Sequence, residues 1–264
     1  MRIQIFFGYN ASVMLRFDAG RLSLEVHYSR VEMGRAAAAA AAPFLRGPAL
    51  FASAASQVEC LGALRQYQTI DWPAVSAFHL DEYVGMGPDH PASFRRFIRE
   101  HLLDHVPVKG FDGLTGEAPD PEAECARYAR LLDANPPQVC ILGVGENGHL
   151  AFNDPPVARF DDPLAVKVVD LDLVCREQQV HDGAFASLAD VPMKALTVSV
   201  RRIMQVPRLV VVVPGPRKAA AIRAALEGPI TTECPASILR THPNAALFLD
   251  RDSASLLSAT AGRD

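Results

Sequence analysis

Between Pro136-Pro137 and the glycines at 143 and 145 lies an unbroken apolar run, Val139 to Leu142. It is too short for a helix and has no polar residue to turn towards water. It therefore reads as a strand buried on both faces, the kind from which parallel sheets with helices on either side are built. The turn beyond it is polar: Glu146, Asn147, His149, Asn153 and Asp154, interleaved with Leu150, Ala151 and Phe152, which can anchor the turn to a core. Open α/β sheets bind ligands in the crevice beyond the carboxyl ends of their strands. An imidazole flanked by carboxylate and amide partners is suited to moving a proton near neutral pH. Taken alone, a histidine in a glycine-rich loop is more often a surface or capping residue than a catalyst.

A second stretch repeats the arrangement. Ser76 to Gly85, SAFHLDEYVG, is an apolar strand that ends in two acids, Asp81 and Glu82, followed by a glycine. Two such strand ends suggest one shared site. Further short apolar runs lie at Leu50–Ala54, Ala165–Asp172, Ala195–Val200, Leu209–Val213 and Ala246–Leu249. Helical patterns separate most of them: Glu32–Ala42, Ser56–Arg65, Pro91 to about His105, Pro121–Leu132, a helix beginning at Pro216-Arg217-Lys218, and a short one at Pro235–Thr241. This alternation predicts an α/β fold, a Rossmann-like, three-layer, doubly wound and mostly parallel sheet of roughly six or seven strands. No linker divides residues 1–264, so one domain is expected, with residues 1–30 an irregular appendage. Within it Arg2–Phe7 and Leu22–His27 alternate like edge strands about a turn at Asp18-Ala19-Gly20. The alanine run of the first helix carries no chemistry of its own, and Arg176–Asp190 reads as a polar connection.

Composition narrows the function class. With 264 residues, 49% hydrophobic and 21% charged, the chain has the make-up of a globular enzyme. Its formal charge of −4 argues against a nucleic-acid surface. No apolar run approaches the roughly 18 residues of a membrane span, and the start lacks a secretory apolar core. The odd set of five cysteines, Cys60, Cys125, Cys140, Cys175 and Cys234, is widely spaced in apolar surroundings and reads as reduced thiols in a cytoplasmic protein. There is no CxxC. His101 and His105, at i, i+4 spacing, have no third ligand in view and read as solvated surface residues, so no metal is expected.

FHLDEYVG at 78–85, DHPASF at 89–94, GVGENGHLAFNDP at 143–155 and VPGPRKAAAIRAALEG at 213–228 resemble, in order and spacing, the signature segments of the glucosamine-6-phosphate deaminase (isomerase) family. The similarity runs from about Leu50 to Leu249. The related 6-phosphogluconolactonases share the GxGxxGH core, but Tyr83 and Phe152-Asn153-Asp154 favour the deaminase branch. The resemblance implies conversion of glucosamine 6-phosphate and water to fructose 6-phosphate and ammonia by proton transfers that need no cofactor. It implies Asp81 as the base between C2 and C1, with His149 assisting ring opening and oriented by Asn147 and Asp154. Reference deaminases often carry Asp and Glu at those two positions. Asn147 can accept a bond from the imidazole but cannot stabilise its charged form as a carboxylate would.

For the substrate, the resemblance implies contacts from Ser53, Ala54, Ala55, Ser56, Glu82, Gly148, Arg176 and Lys218. The family's phosphate loop is glycine-rich where this chain has Ala54 and Ala55. If the loop needs left-handed backbone angles, those alanines distort it. A lactonase acting on a phosphorylated aldonolactone, and a sugar-phosphate sensor without turnover, remain alternatives. The partner expected in each case is a small sugar phosphate, and the sequence leaves a homo-oligomer open.

Overall fold

The computed structural model describes residues 13–258. The strands are β1 (Val13–Ala19), β2 (Leu22–His27), β3 (Ala49–Phe51), β4 (Ser76–His79), β5 (Asp81–Tyr83), β6 (Gly110–Asp112), β7 (Val139–Leu142), β8 (Val166–Asp170), β9 (Lys194–Val198), β10 (Arg208–Val213) and β11 (Ala245–Asp250). The α-helices are α1 (Arg30–Ala41), α2 (Val58–Leu64), α3 (Phe94–His101), α4 (Pro121–Ala134), α5 (Leu173–His181), α6 (Val200–Met204) and α7 (Ala219–Glu227). An eight-stranded sheet has the order β1-β2-β11-β10-β7-β3-β4-β6. It is parallel throughout except for the β1–β2 hairpin.

The central strands are apolar on both sides because both sides are covered. Val139 and Ile141 of β7, with Val210 and Val212 of β10, pack against Met33 and Ala37 of α1 and Leu61 of α2. Cys140 and Leu142, with Leu209 and Val211, belong to the opposite layer with Tyr128 of α4, Ile203 of α6 and Ile222 of α7. The expected three-layer α/β architecture is present, with helices on both faces. No helix among the described residues is long and apolar enough to cross a membrane.

Several local expectations change. Arg2–Phe7 lies outside the described residues. Leu22–His27 is a strand, as its alternation predicts, but it is not at the edge: as β2 it forms a hairpin with β1 and pairs with β11, so this part of the expected irregular appendage extends the main sheet. The alternation of β1 has a physical basis: Leu15, Phe17 and Ala19 are buried while Arg16 and Asp18 are exposed. The helix expected from Pro91 starts at Phe94, where the Ser93 side chain caps it, and ends at His101. The connection Arg176–Asp190 contains the last two turns of α5. Two predicted strands, Ala165–Asp172 and Ala195–Val200, do not join the main sheet. As β8 and β9 they form a separate antiparallel three-stranded sheet with β5.

That second sheet positions the site. Leu80 sits between β4 of one sheet and β5 of the other: its N–H donates to Phe51 O of the main sheet and its carbonyl accepts from Val198 N of the small one. The chain therefore changes sheets immediately before Asp81.

Candidate active site

The strand order reverses between β3 and β7. From β3 the chain builds outward through β4 and β6, and from β7 it builds the other way through β10 and β11. Such a switch point opens a crevice at the carboxyl ends of the strands. Leu50 pairs with Cys140 and Phe51 with Ile141, so the loops after β3 and β7 leave the sheet side by side. They border a cavity of about 470 Å³, lined among others by Ser53, Asp81, His149, Phe152 and Lys218.

The loop after β7 is shaped around His149. Gly148 has φ +86°, a left-handed conformation that glycine adopts freely. A Cβ on Gly145 would collide with the His149 ring, so only glycine lets the imidazole lie across the loop. The His149 Nδ1 lies 2.8 Å from Asp154 Oδ1 but out of line with that oxygen. Burial disfavours the charge on Asp154, yet its contacts with His149 and Asn147 outweigh burial and hold the carboxyl below its ordinary value. Asn147 does not bond to the imidazole, as the sequence had suggested. Its Oδ1 accepts the backbone N–H of His149 and its Nδ2 donates to Asp154 Oδ1, so it steadies the carboxylate rather than the ring. Gly148 shapes this loop and is not among the residues that line the cavity.

Asp81 and Glu82 are neighbours on β5, and their side chains do different jobs. Glu82 is fully buried and accepts from Tyr83 N, Phe94 N, Arg95 N, Ser93 Oγ and Arg95 Nε. It thus holds the orphan N–H groups at the start of α3 and does not line the cavity, contrary to the substrate contact expected of it. Asp81 lines the cavity and its carboxylate makes no hydrogen bond among the described residues. Burial, and then the charge of Glu82, push its carboxyl well above the ordinary carboxylate range. A buried carboxylate with raised affinity for a proton, aimed at an open cavity, is equipped to act as a base.

The cavity is also lined by Ser53, the turn at Ala54–Ser56 and Lys218. Ser53 is buried, and its hydroxyl has no hydrogen-bond partner among the described residues. Ala54 is extended (φ −145°, ψ 157°) and Ala55–Gln57 form a single 3-10 turn leading into α2. No left-handed angle occurs at Ala54 or Ala55, so neither alanine is strained there. Ala151, on the cavity wall, is the position among the described residues where a non-glycine residue does take one, with φ +51°. Ser56 Oγ accepts from Gln57 Nε2, which also donates to Val212 O. Lys218 is buried, lines the cavity and makes no ion pair among the described residues. Burial lowers its affinity for a proton, while Asp182 and Glu146 nearby act in the other direction.

Arg176 does not line the cavity. Its guanidinium donates to Leu188 O and Val191 O and braces the segment after α5. The residues of α5 that turn inward are Cys175, Gln178 and Gln179, one face of the helix, and the two glutamines line the cavity with Asp182.

The family of glucosamine-6-phosphate isomerases/6-phosphogluconolactonase matches residues 53–248. The chain belongs to that family. A curated glucosamine-6-phosphate deaminase from Exiguobacterium sibiricum is 40% identical over 194 residues, 74% of this chain and 75% of the relative. One from Lactobacillus delbrueckii subsp. bulgaricus is 37% identical over 190 residues, 71% and 78% of the two chains. Among solved structures, a monomeric glucosamine-6-phosphate deaminase superposes with a TM-score of 0.81 at 29% identity, covering 88% of this chain and 99% of that one. A 6-phosphogluconolactonase from Trypanosoma brucei gives 0.71 at 18% identity, covering 89% and 98%, a likeness of fold.

Membership of the family does not by itself reveal the cations near the site that the sequence pattern left unmarked. Arg30 starts α1, the helix of the alanine run. It reaches the cavity rim while bonded to Glu59 at 2.8 Å and to the carbonyl of Ala55 at 3.3 Å. Arg217 also lines the cavity but is held by Glu146 at 3.0 Å and Asp182 at 3.2 Å. Lys218 is thus the lining cation without a carboxylate partner.

Proposed function

We propose that this protein is a glucosamine-6-phosphate deaminase: glucosamine 6-phosphate and water give fructose 6-phosphate and ammonia. The observation that carries the reading is an unpartnered carboxylate, Asp81, sharing one cavity with the His149–Asp154 pair, while Lys218 and Ser53 line it too. Deaminase relatives at 36–40% identity support it.

In this reading the phosphate lies against Ser53, the turn at Ala54–Ser56 and Lys218, where free N–H groups at the start of a turn and one ammonium balance its charge. His149 passes a proton to the ring oxygen as the sugar opens, and Asp154 steadies the imidazolium while Asn147 fixes Asp154. Asp81 takes the proton from C2 and returns it to C1. C2 is then an iminium carbon; water adds to it, and the C–N bond breaks so that the nitrogen leaves as ammonia from the carbon that becomes the ketone. We place the protein in the cytoplasm, in keeping with cysteines that are all buried and free.

A coupled assay that follows ammonia and fructose 6-phosphate together tests the proposal. Hydrolysis of a phosphorylated aldonolactone without ammonia release would assign the chain to the lactonase branch. Calorimetric binding of the sugar phosphate without turnover would make it a sensor.

A further inference from the structure

Behind the cavity wall, the His149–Asp154 pair that the proposed reaction uses meets a third donor, Cys175, for which proton transfer has no need. His149, Asp154 and Cys175 are all buried, and the ligating atoms they offer lie within 4.8 Å of one another. No other group of this kind occurs among the described residues. Cys175 comes from α5 and the other two from the loop after β7, so the three meet only in the folded chain. Among the described residues neither His149 Nδ1 nor Asp154 Oδ2 has a well-aligned hydrogen bond, and His149 Nδ1 lies 2.8 Å from Asp154 Oδ1. One imidazole nitrogen, one carboxylate oxygen and one sulfur form a set that zinc accepts, at bond lengths of about 2.0–2.3 Å. Tetrahedral angles then place the donors about 3.3–3.8 Å apart, within the span seen here. Of the three residues, His149 lines the cavity.

We propose that His149, Asp154 and Cys175 form a site for a zinc ion, and that zinc bound there inhibits the enzyme reversibly by holding the imidazole that the reaction uses. On binding, the Cys175 thiol gives its proton to solvent and the sulfur coordinates as thiolate. An imidazole coordinated through Nδ1, the nitrogen facing Asp154, keeps its remaining proton on Nε2 and can accept no other. The fourth ligand is a water, which a sugar oxygen can displace. The binding claim is independent of the deaminase reading, whereas the inhibition rests on it.

The test uses the whole chain, stripped of metal and titrated calorimetrically with zinc chloride in the absence of sugar. Cobalt(II) serves as a spectroscopic stand-in whose thiolate-to-metal absorption reports a sulfur ligand. One ion per chain is expected, with the thiolate band in wild type and none in Cys175→Ser. Zinc affinity should fall at least ~100-fold in Cys175→Ser and Cys175→Ala, since even outer-shell partners are worth 10–100-fold. Each variant is compared with its own uninhibited rate, and His101→Gln/His105→Gln removes the surface pair as a competing site without changing binding or inhibition. Equal zinc affinity in the Cys175 variants, loss of binding in the His101/His105 variant, or a cobalt complex without the thiolate band would overturn the site. If both Cys175 variants fail to fold, the wild-type cobalt spectrum still decides. Zinc bound to the trio with turnover intact would overturn the inhibition alone, and binding in a protein that releases no ammonia would sink the deaminase reading while leaving the site.

Discussion

Changing Ala54 and Ala55 together to glycine tests whether the anion loop is already in its working shape. Family resemblance alone suggests that glycine belongs there and that alanine strains the loop by about 1–2 kcal/mol per left-handed residue. The structure gives the opposite expectation. Ala54 is extended and Ala55 lies in a 3-10 turn, conformations that alanine holds without penalty. Glycine would then bring only a freer unfolded chain, a cost of about 0.4–1 kcal/mol per site and about 1–2 kcal/mol for the pair. For a chain of this size that is a fall in Tm of about 2–8 °C. Affinity for glucosamine 6-phosphate, measured by calorimetric titration, should be unchanged or weaker. Ala151→Gly is the internal contrast: φ there is +51°, so glycine relieves real strain and the stability change should be near zero or favourable. Binding of the sugar phosphate tightened tenfold or more by the double substitution, about 1.4 kcal/mol, would refute the reasoning and show that the loop adopts a glycine-requiring shape on its ligand.

The other predictions are briefer. His149→Gln should lower kcat by about 10²–10⁴ with a smaller change in KM, and activity within twofold of wild type would remove the imidazole from the mechanism. Asp81→Asn should abolish exchange of the C2 proton with solvent. Because burial raises the Asp81 pKa on folding, ionising it costs stability as pH rises above the unfolded value, about 3.9. The variant should therefore melt above wild type at neutral pH, with the gap closing near pH 4; a variant less stable at neutral pH would contradict this. Glu82→Gln should lower stability by roughly 2 kcal/mol or more through lost contacts at the start of α3, and if it, rather than Asp81→Asn, stops proton exchange, the base is assigned one residue too early. Lys218→Met should weaken sugar-phosphate binding by about 10–100-fold, as loss of one charge-assisted contact does, while Arg176→Ala should leave KM near wild type and lower Tm.

How legible each segment was in the sequence depends on how strongly it is patterned. Val139–Leu142 is buried at every position and bounded by prolines and glycines, so its strand and the loop beyond it could be placed to the residue. The residues around Lys218 begin their helix where Pro216 predicts. By contrast α5 inverts the rule that apolar residues face inward: Leu173 and Val174 are exposed while Gln178 and Gln179 are buried, so no hydrophobic period marked it. Without that helix Arg176 could not be placed either, since only the helical phase shows that the inward positions are Cys175, Gln178 and Gln179. That β8 and β9 leave the main sheet could not be read from their apolar content, which serves either sheet equally well. Arg30 was hidden for another reason: it is joined to the site by the packing of α1 on α2, and local sequence does not report such a contact.

The two adjacent acids of β5 show how the fold turns a structural requirement into a chemical one. A strand sends neighbouring side chains to opposite faces, so one of the pair must point into the protein. Glu82 does, and the N–H groups of α3 with Arg95 stabilise it there. Its carboxyl remains beside Asp81, which faces the cavity and has no partner among the described residues. Burial and the charge of Glu82 act in the same direction, both disfavouring ionised Asp81. The residue that anchors the helix therefore also raises the proton affinity of the base, and the change of sheets at Leu80 brings the pair to the mouth of the crevice. Neither effect belongs to Asp81 alone. Its role in the proposed reaction depends on Glu82 being held in place, which is why the Glu82→Gln variant must be judged on stability and proton exchange together.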